Sequence, residues 1–167
     1  MNETGIERVG IGTDIHRLVS GRPLRLGGVE IEFDRGLAGH SDGDVVLHAV
    51  ADALLGAAAL PDIGEQFPDT DPQFQDADSA ALLRDVLRRV DASGYRPVNL
   101  DVVIHAERPK LTPHKKAIRR RLAELTELPL EAVSVKAKTN EGLDAIGRGE
   151  AIACTAVIGL RRRTMDR

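Results

Sequence analysis

Apolar and polar residues alternate at the start of the chain, with the period of a β-strand. We predict a strand over Arg8–His16. One face would carry Val9, Ile11, Thr13 and Ile15, and the other Gly10, Gly12, Asp14 and His16. Because residues two apart share a face of a strand, Asp14 and His16 are expected to point the same way near its end.

Later segments extend this pattern to a complete set of elements. It predicts a hairpin around Gly27-Gly28, a helix from Ser41 to about Ala59, a loop over Pro61–Asp78, a helix over Ser79–Ala92, a strand over Val98–Ala106, a helix opened by Thr112-Pro113, and strands over Ala132–Thr139 and Ala151–Leu160. We expect Ser41 to cap the first helix, with Asp44 as its capping-box partner. The last strand is apolar enough to be buried on both faces. This order predicts an α+β fold, a mixed β-sheet with helices packed on one face.

Composition and charge narrow the class of protein. The 167 residues suit a single domain spanning 1–167, and the net charge of −3 with 2% aromatic residues argues against a nucleic-acid partner. A lone cysteine excludes an intrachain disulfide framework and a cysteine-based zinc finger. The start of the chain lacks an apolar signal core, and no apolar run reaches membrane-spanning length. We therefore expect a soluble cytoplasmic protein with no membrane partner.

A second histidine, His48, is predicted in the middle of the first helix, with Asp44 and Asp52 four residues away on either side. Two histidines and one carboxylate are a usual ligand set for a catalytic zinc with one open position, which makes Asp14, His16 and His48 candidate ligands. Asp44 or Asp52 could then accept a hydrogen bond from the other ring nitrogen of His48. The spacing alone favours a surface Asp14 and His16 and a core His48, because a D-x-H motif is short and common.

Other polar positions suggest anion binding. His40 and Ser41 precede the first helix, where free backbone amides could hold an anion or Ser41 could act as a simple cap. Lys110 follows a strand and could hold phosphate, although a solvated lysine is the more frequent outcome. Arg148 lies between two glycines, which is compatible with an exposed guanidinium but by itself favours a tight turn. No nucleophile-elbow, Walker or dinucleotide-binding motif is present, and Cys154 falls inside an apolar strand.

Several motifs together resemble one family. They are G-x-D-x-H at 12–16, Gly39-His-Ser-Asp-Gly-Asp44, Leu47-His48-Ala49, Asp52-Ala-Leu-Leu-Gly56, Asp62-Ile-Gly64, Phe67-Pro-Asp-Thr-Asp71 and Gly147-Arg-Gly-Glu150. The chain resembles the 2-C-methyl-D-erythritol 2,4-cyclodiphosphate synthases of the non-mevalonate isoprenoid pathway, from Val9 to about Leu160. The resemblance implies cyclisation of 4-diphosphocytidyl-2-C-methyl-D-erythritol 2-phosphate with release of CMP. The attacking phosphate oxygen is already an anion, which agrees with the absence of a nucleophile–base pair.

The resemblance also implies two metal ions and two groups that act on the moving phosphate. Zinc, or another divalent ion, would be held by Asp14, His16 and His48. A Mg²⁺ or Mn²⁺ ion would lie on the substrate diphosphate, with Glu141 as its protein ligand. His40 and Thr139 would stabilise the transition state by hydrogen bonds to the phosphate.

The substrate contacts implied by the resemblance extend over much of the chain. They comprise Asp14, His16, His40, Ser41, Asp62, Gly64, Phe67, Asp69, Asp71, Ala106, Lys110, Lys138, Thr139, Asn140, Glu141 and Arg148. Asp62 and Gly64 would hold the erythritol hydroxyls beneath an acidic loop at 67–71, while 106–112 and 138–141 would bind the cytidine and its phosphates.

The family is a homotrimer with active sites between subunits, so one subunit would supply the metal and erythritol pocket and its neighbour the cytidine pocket. This chain departs from the family at two places. It has Lys138-Thr139-Asn140-Glu141 in place of a Thr-Thr-Thr-Glu run, and Ala145-Ile146 where relatives often have an aromatic residue. Two other functions remain open, a zinc-dependent phosphohydrolase and a trimeric cytidine-nucleotide binding protein with a structural metal.

Overall fold

A central sheet and the helices that cover it make up the fold. The computed structural model describes residues 5–68, 70–74 and 77–163. The strands are β1 (Arg8–Ser20), β2 (Leu24–Leu26), β3 (Val29–Ile31), β4 (Arg35–Leu37), β5 (Tyr95–His105), β6 (Val133–Lys138) and β7 (Ala151–Arg162). The helices are α1 (Val45–Ala57), α2 (Ile63–Gln66), α3 (Ser79–Ala92), α4 (Lys115–Thr126) and α5 (Asp144–Gly147), with 3₁₀ turns at Pro72–Phe74 and Leu130–Ala132.

The main sheet has five strands in the order β4-β1-β7-β5-β6, and β2 pairs with β3 in a separate hairpin. Strand β7 pairs antiparallel with both β1 and β5, whereas β5 and β6 run parallel. The sheet is therefore mixed, and the predicted α+β class and the hairpin around Gly27-Gly28 are confirmed.

Helix α1 packs against β1 and β7, and α3 and α4 pack against β5 and β6. The close approach of α1 depends on glycine: a Cβ at Gly12 would lie 1.9 Å from the Ala49 carbonyl oxygen, and one at Gly10 would lie 2.0 Å from the Ala53 carbonyl oxygen. The glycine face of β1 is thus the covered face, because only a strand without side chains there lets the helix backbone come this near.

The opposite face of the sheet is open in the single chain. Its exposed apolar side chains include Val9, Ile11, Ile15 and Val157, of which Ile11 is 66% exposed. The expectation that the last strand is buried on both faces is wrong for the isolated chain. Ile152, Cys154 and Ala156 are buried, but the intervening Thr155 is only half-buried because the helices lie on one side of the sheet.

Several predicted boundaries also change. Strand β1 continues to Ser20, so Asp14 and His16 lie in its middle and not at its end. Helix α1 begins at Val45 and is capped by Asp44, not by Ser41, because the Asp44 carboxylate accepts hydrogen bonds from the free backbone N–H groups of the first turn. Helix α4 begins at Lys115, two residues after the proline expected to open it, and the acidic loop contains α2 and a 3₁₀ turn. Within the described ranges, no helix is both long enough and apolar enough to span a bilayer.

Candidate metal centre

Asp14, His16 and His48 converge on one point. Asp14 and His16 share a face of β1, and His48 projects from the first turns of α1, which packs on that face. The Asp14 Oδ2 atom lies 2.7 Å from His16 Nε2 and 3.1 Å from His48 Nδ1, and the two imidazole nitrogens are 3.3 Å apart. In the part of the chain that the structure describes, this is the one group of three or more histidine, cysteine, aspartate or glutamate side chains that could hold a metal ion.

The outward-facing ring nitrogens are committed to hydrogen bonds. His16 Nδ1 faces the Ala38 carbonyl oxygen, which can only accept, so Nδ1 carries a proton. His48 Nε2 lies 3.0 Å from Ser41 Oγ and 3.0 Å from Ser79 Oγ. When the outer nitrogen of each ring is the donor, the neutral form of each imidazole turns the lone pair of its inner nitrogen toward the Asp14 carboxylate oxygen.

The surroundings favour an ionised Asp14. Burial raises the pKa of the Asp14 carboxyl, but the hydrogen bonds and charges of His16 and His48 outweigh it and hold this pKa well below its usual range. Burial lowers the pKa of His16, whereas the hydrogen bond and charge of Asp14 raise it overall. At neutral pH the triad therefore contains a carboxylate that a cation would neutralise.

The donor triangle has the dimensions of three corners of a tetrahedral site. Ligands held tetrahedrally at about 2.0–2.1 Å from an ion, the usual length for a histidine nitrogen on zinc, lie about 3.3 Å from one another. The separations of 3.1 and 3.3 Å are close to this value, and the 2.7 Å between Asp14 Oδ2 and His16 Nε2 is shorter. All three side chains line a pocket, so they would fit a divalent ion with one position left open for another ligand.

The prediction that Asp44 or Asp52 accepts a hydrogen bond from His48 is wrong. Asp44 is fully buried and accepts hydrogen bonds from the backbone N–H groups of Gly27, Gly28, Val46 and Leu47. It therefore joins the hairpin to the start of α1, and burial raises its pKa although these hydrogen bonds lower it. Asp52 accepts from the Ile63 backbone N–H and fixes the start of α2. The two hydroxyls of Ser41 and Ser79 take the place predicted for a carboxylate.

A pocket of about 540 Å³ opens beside the triad. Its walls are Thr13, Asp14, His16, Gly39, His40, Ser41, His48, Asp52, Ile63, Gly64, Phe67 and Leu82. The structure thus brings the predicted His40, Ser41, Gly64 and Phe67 to the triad, although they come from two separate segments of the chain. The pocket has the size of a small-molecule site with the metal ligands at one wall.

The acidic predictions next to this pocket have different outcomes. Asp62 is exposed, caps α2 by accepting from the Glu65 N–H, and is not among the lining residues. Asp71 accepts hydrogen bonds from Gln73 and also lies outside the lining. Asp69 lies outside the described residues.

Most of the remaining predicted site residues lie in a second cluster where β5 and β6 end. None of them lines the pocket. The Ala106 N–H donates to the Lys138 carbonyl oxygen, and the Asn140 N–H donates to Glu107. Thr139 Oγ1 lies 3.4 Å from Glu141 Oε1. Lys110, Lys138 and Arg148 are exposed, and Arg148 pairs with Glu150. Within one chain the predicted second metal ligand, Glu141, is therefore separate from the triad.

Three polar residues near the pocket escaped the sequence analysis. Ser79 and Asp42 form part of the hydrogen-bond network behind His48. Arg22 donates from Nη1 to the Gly39 carbonyl oxygen and from Nη2 to the Ser41 carbonyl oxygen, on both sides of His40. Ser79 was assigned only to a helix start, and Arg22 lies in a turn. The distance along the sequence from Ser79 to His48, or from Arg22 to His40, does not predict these contacts.

The comparisons with known proteins agree with the site. The model of the YgbB family matches residues 7–161. The chain is 59% identical over 149 residues to the 2-C-methyl-D-erythritol 2,4-cyclodiphosphate synthase of Salinibacter ruber, covering 89% of this chain and 95% of the relative. It is 55% identical over 156 residues to the enzyme of the same name from Bordetella avium, covering 93% and 96%.

Solved structures show the same fold. A 2C-methyl-D-erythritol-2,4-cyclodiphosphate synthase in a form bound to CDP matches with a TM-score of 0.86 and 43% identity, over 92% of this chain and all of that one. The bifunctional IspDF of Campylobacter jejuni matches with a TM-score of 0.91 and 41% identity over 95% of this chain, which corresponds to 43% of the longer protein. The chain belongs to the YgbB family, the family of the 2-C-methyl-D-erythritol 2,4-cyclodiphosphate synthases.

Proposed function

We propose that this chain cyclises 4-diphosphocytidyl-2-C-methyl-D-erythritol 2-phosphate to 2-C-methyl-D-erythritol 2,4-cyclodiphosphate and releases CMP, as a phosphorus–oxygen lyase of the cytoplasm. The observation that carries the proposal is the donor triangle of Asp14, His16 and His48 at the wall of a 540 Å³ pocket. Relatives that share more than half of their residues with this chain carry that enzyme's name.

The triad is proposed to hold Zn²⁺ or a similar divalent ion. Two histidines, one carboxylate and an open corner are typical of catalytic zinc, whereas a structural zinc is normally closed by four protein ligands. When bound, the ion supplies Lewis acidity and neutralises charge on a phosphate oxygen. A second ion, Mg²⁺ or Mn²⁺, would lie on the diphosphate with Glu141 as its protein ligand.

The chain's own residues would position the phosphates for in-line attack. The 2-phosphate oxygen attacks the β-phosphorus while the bond from that phosphorus to the CMP oxygen breaks, so the leaving group departs as an anion. His40, at the pocket wall, and Thr139 would donate hydrogen bonds to the charge that develops. The pocket would hold the erythritol, with Asp62 and Gly64 on its hydroxyls and residues 67–71 over it.

A homotrimer would join the two clusters. In one chain the cytidine-binding candidates lie apart from the pocket, and the open sheet face exposes apolar residues that include Ile11 and Val157. Burial of that face between copies would remove apolar surface from water and could set Glu141 of one subunit beside the triad of the next. The expected mass in solution is three times the 18.0 kDa of the chain.

The reaction is tested by ³¹P NMR of the purified protein with its substrate, Zn²⁺ and Mg²⁺. We expect the coupled resonances of a cyclic diphosphate to appear together with CMP. CMP accompanied only by linear phosphates would instead identify a hydrolase, and an unchanged spectrum would identify a binding protein.

The shared site is tested by subunit mixing. His48→Ala and Glu141→Gln homotrimers should each be inactive, because every site lacks one half. Mixed trimers should recover part of the activity, since some sites then combine an intact triad with an intact Glu141. Activity that stays absent after mixing and reassembly contradicts a site shared between subunits.

A further inference from the structure

Behind the candidate metal centre, a partly buried hydrogen-bond chain leads from His48 to a carboxylate on another segment. His48 Nε2 lies 3.0 Å from Ser79 Oγ, and Ser79 Oγ makes a short hydrogen bond to Asp42 Oδ1. Ser79 is 1% exposed, so its hydroxyl is shielded from solvent. The residues come from the first turns of α1, the start of α3 and the loop after β4.

The direction of each hydrogen bond in this chain follows from the groups involved. A carboxylate only accepts, so the single Ser79 hydroxyl proton goes to Asp42. The Ser79 oxygen has two further neighbours, His48 Nε2 at 3.0 Å and Ser41 Oγ at 3.4 Å, and the shorter contact assigns a donated N–H to His48 Nε2. Ser41 Oγ, also 3.0 Å from Nε2, accepts from the Gly43 N–H and offers a second acceptor. The His48 Nδ1 lone pair is thereby left facing Asp14 and His16.

Asp42 is itself held in place. Its Oδ2 accepts from the Ser79 backbone N–H at 3.1 Å, and its Oδ1 also accepts from the Asp44 N–H at 3.1 Å. The Asp42 N–H donates to the Ala77 carbonyl oxygen at 3.2 Å. These bonds fasten the beginning of α3 to the loop that carries His40.

We propose that Ser79 and Asp42 are positioning residues for the metal ligand His48. Ser79 holds the ring in the Nε2–H tautomer and orientation that present Nδ1 to the ion, and Asp42 acts through Ser79 by keeping its hydroxyl proton turned away from His48. The arrangement corresponds to the carboxylate–histidine pairs behind many metal sites, with a hydroxyl inserted between the carboxylate and the ring. The proposal rests on the metal site of the proposed function.

The test measures zinc affinity by competition with a chromogenic chelator, without substrate. Removing an outer-shell partner of a ligand typically weakens metal binding by about 10- to 100-fold, and we expect a loss of this size for Ser79→Ala. Ser79→Thr keeps the hydroxyl and should remain within about threefold of the unaltered protein. Ser93→Ala is the matched control, because Ser93 follows the other end of α3 and its hydroxyl donates to the Val90 carbonyl oxygen, away from the triad.

A double-mutant cycle separates positioning from general destabilisation. Asp42→Asn should weaken zinc binding in the unaltered protein but add less than about twofold to Ser79→Ala, because Asp42 has lost its route to His48. Unchanged affinity in Ser79→Ala, or an equal effect of Asp42→Asn in both backgrounds, overturns the proposal. Thermal melting of the metal-free variants shows that each one is folded.

A second readout needs no variant. In the zinc-loaded protein, ¹⁵N–¹H correlation of the imidazoles should show a slowly exchanging Nε2–H on His48 and a metal-bound Nδ1. Coordination through Nε2 contradicts the proposal even if Ser79→Ala fails to fold. Protein that binds zinc with these signatures but does not turn over substrate would refute the proposed function and leave this inference intact.

Discussion

Replacing Gly12 by alanine tests whether the spacing between β1 and α1 sets the metal centre. The new Cβ would lie 1.9 Å from the Ala49 carbonyl oxygen and 2.6 Å from the Ala53 nitrogen, whereas ordinary contacts of a Cβ begin near 3.4 Å. Both obstacles are helix backbone atoms at the fully buried residues Ala49 and Ala53, so no side-chain rotation relieves the clash. The strand and the helix must separate by about 1.5 Å along the line of the closest contact.

The separation acts directly on the triad. Gly12 lies two residues before Asp14 on the same face of β1, and Ala49 follows His48 in α1. A movement of this size is several times the roughly 0.2 Å tolerance of a metal–ligand distance, and we expect zinc affinity to fall by at least about 100-fold. Overpacking usually costs about 1–3 kcal/mol of stability, and the rigid obstacles here place Gly12→Ala at the upper end.

Gly56→Ala provides a control of opposite sign in the same helix. Gly56 is exposed, and its Cβ would meet only the Ile11 carbonyl oxygen, at 3.9 Å. Alanine is the better helix former, so this change should raise the free energy of unfolding by about 0.5–1 kcal/mol and leave zinc binding unaltered.

Both quantities are measured on the metal-free protein at one fixed concentration, by urea unfolding and by competition for zinc. A Gly12→Ala protein with an unfolding free energy within about 1 kcal/mol of the unaltered protein, or with zinc affinity within about twofold, would refute the reasoning, since either result means that β1 and α1 accommodate the methyl group.

Three further substitutions address single contacts. His48→Ala should abolish zinc retention and turnover while the fold persists, and metal analysis showing a normal zinc content would contradict the ligand assignment. Arg22→Ala should lower kcat about tenfold with zinc content unchanged, because the guanidinium that bridges the carbonyl oxygens on both sides of His40 is lost. Arg22→Lys should restore only part of this kcat. An unaltered kcat in Arg22→Ala would show that His40 does not depend on Arg22. Asp44→Asn should lower the free energy of unfolding by about 1–3 kcal/mol, since one carboxylate oxygen is replaced by an amide that faces a backbone N–H; an unchanged urea midpoint would contradict this.

The periodicity of the sequence predicted most elements because burial on one face is a local property. The Ser79–Ala92 helix and the start of the last strand agree with the structure to the residue. The period of β1 alone does not say which face is covered, and it is the glycine face. The backbone of α1 can approach β1 closely only on the glycine face. The sequence of β1 does not show this, because α1 lies more than 30 residues later in the chain.

The candidate site divides in the same way. Asp14, His16 and His48 could be predicted because ligand types and a family motif are visible in the sequence, and the structure brings them together. The partner of His48 could not, since Ser79 is 31 residues away and reaches it only through the packing of α3 on α1. The helix cap was misassigned because Ser41 and Asp44 are both good capping residues, and the choice depends on Asp44 also binding the hairpin amides of Gly27 and Gly28.

The open face of the sheet and the divided site have a common physical explanation in the proposed trimer. Strands covered on one side only usually carry polar residues on the side that faces solvent. On that side, however, β1 carries Val9, Ile11 and Ile15, each more than half exposed. In the register of the sheet, Ile11 lies beside Val157, so the apolar positions form a continuous surface across two strands. Such a surface costs free energy in water unless another copy covers it. The chain also keeps Thr139 and Glu141 away from its own triad, so the assembly that covers this surface could complete the site as well.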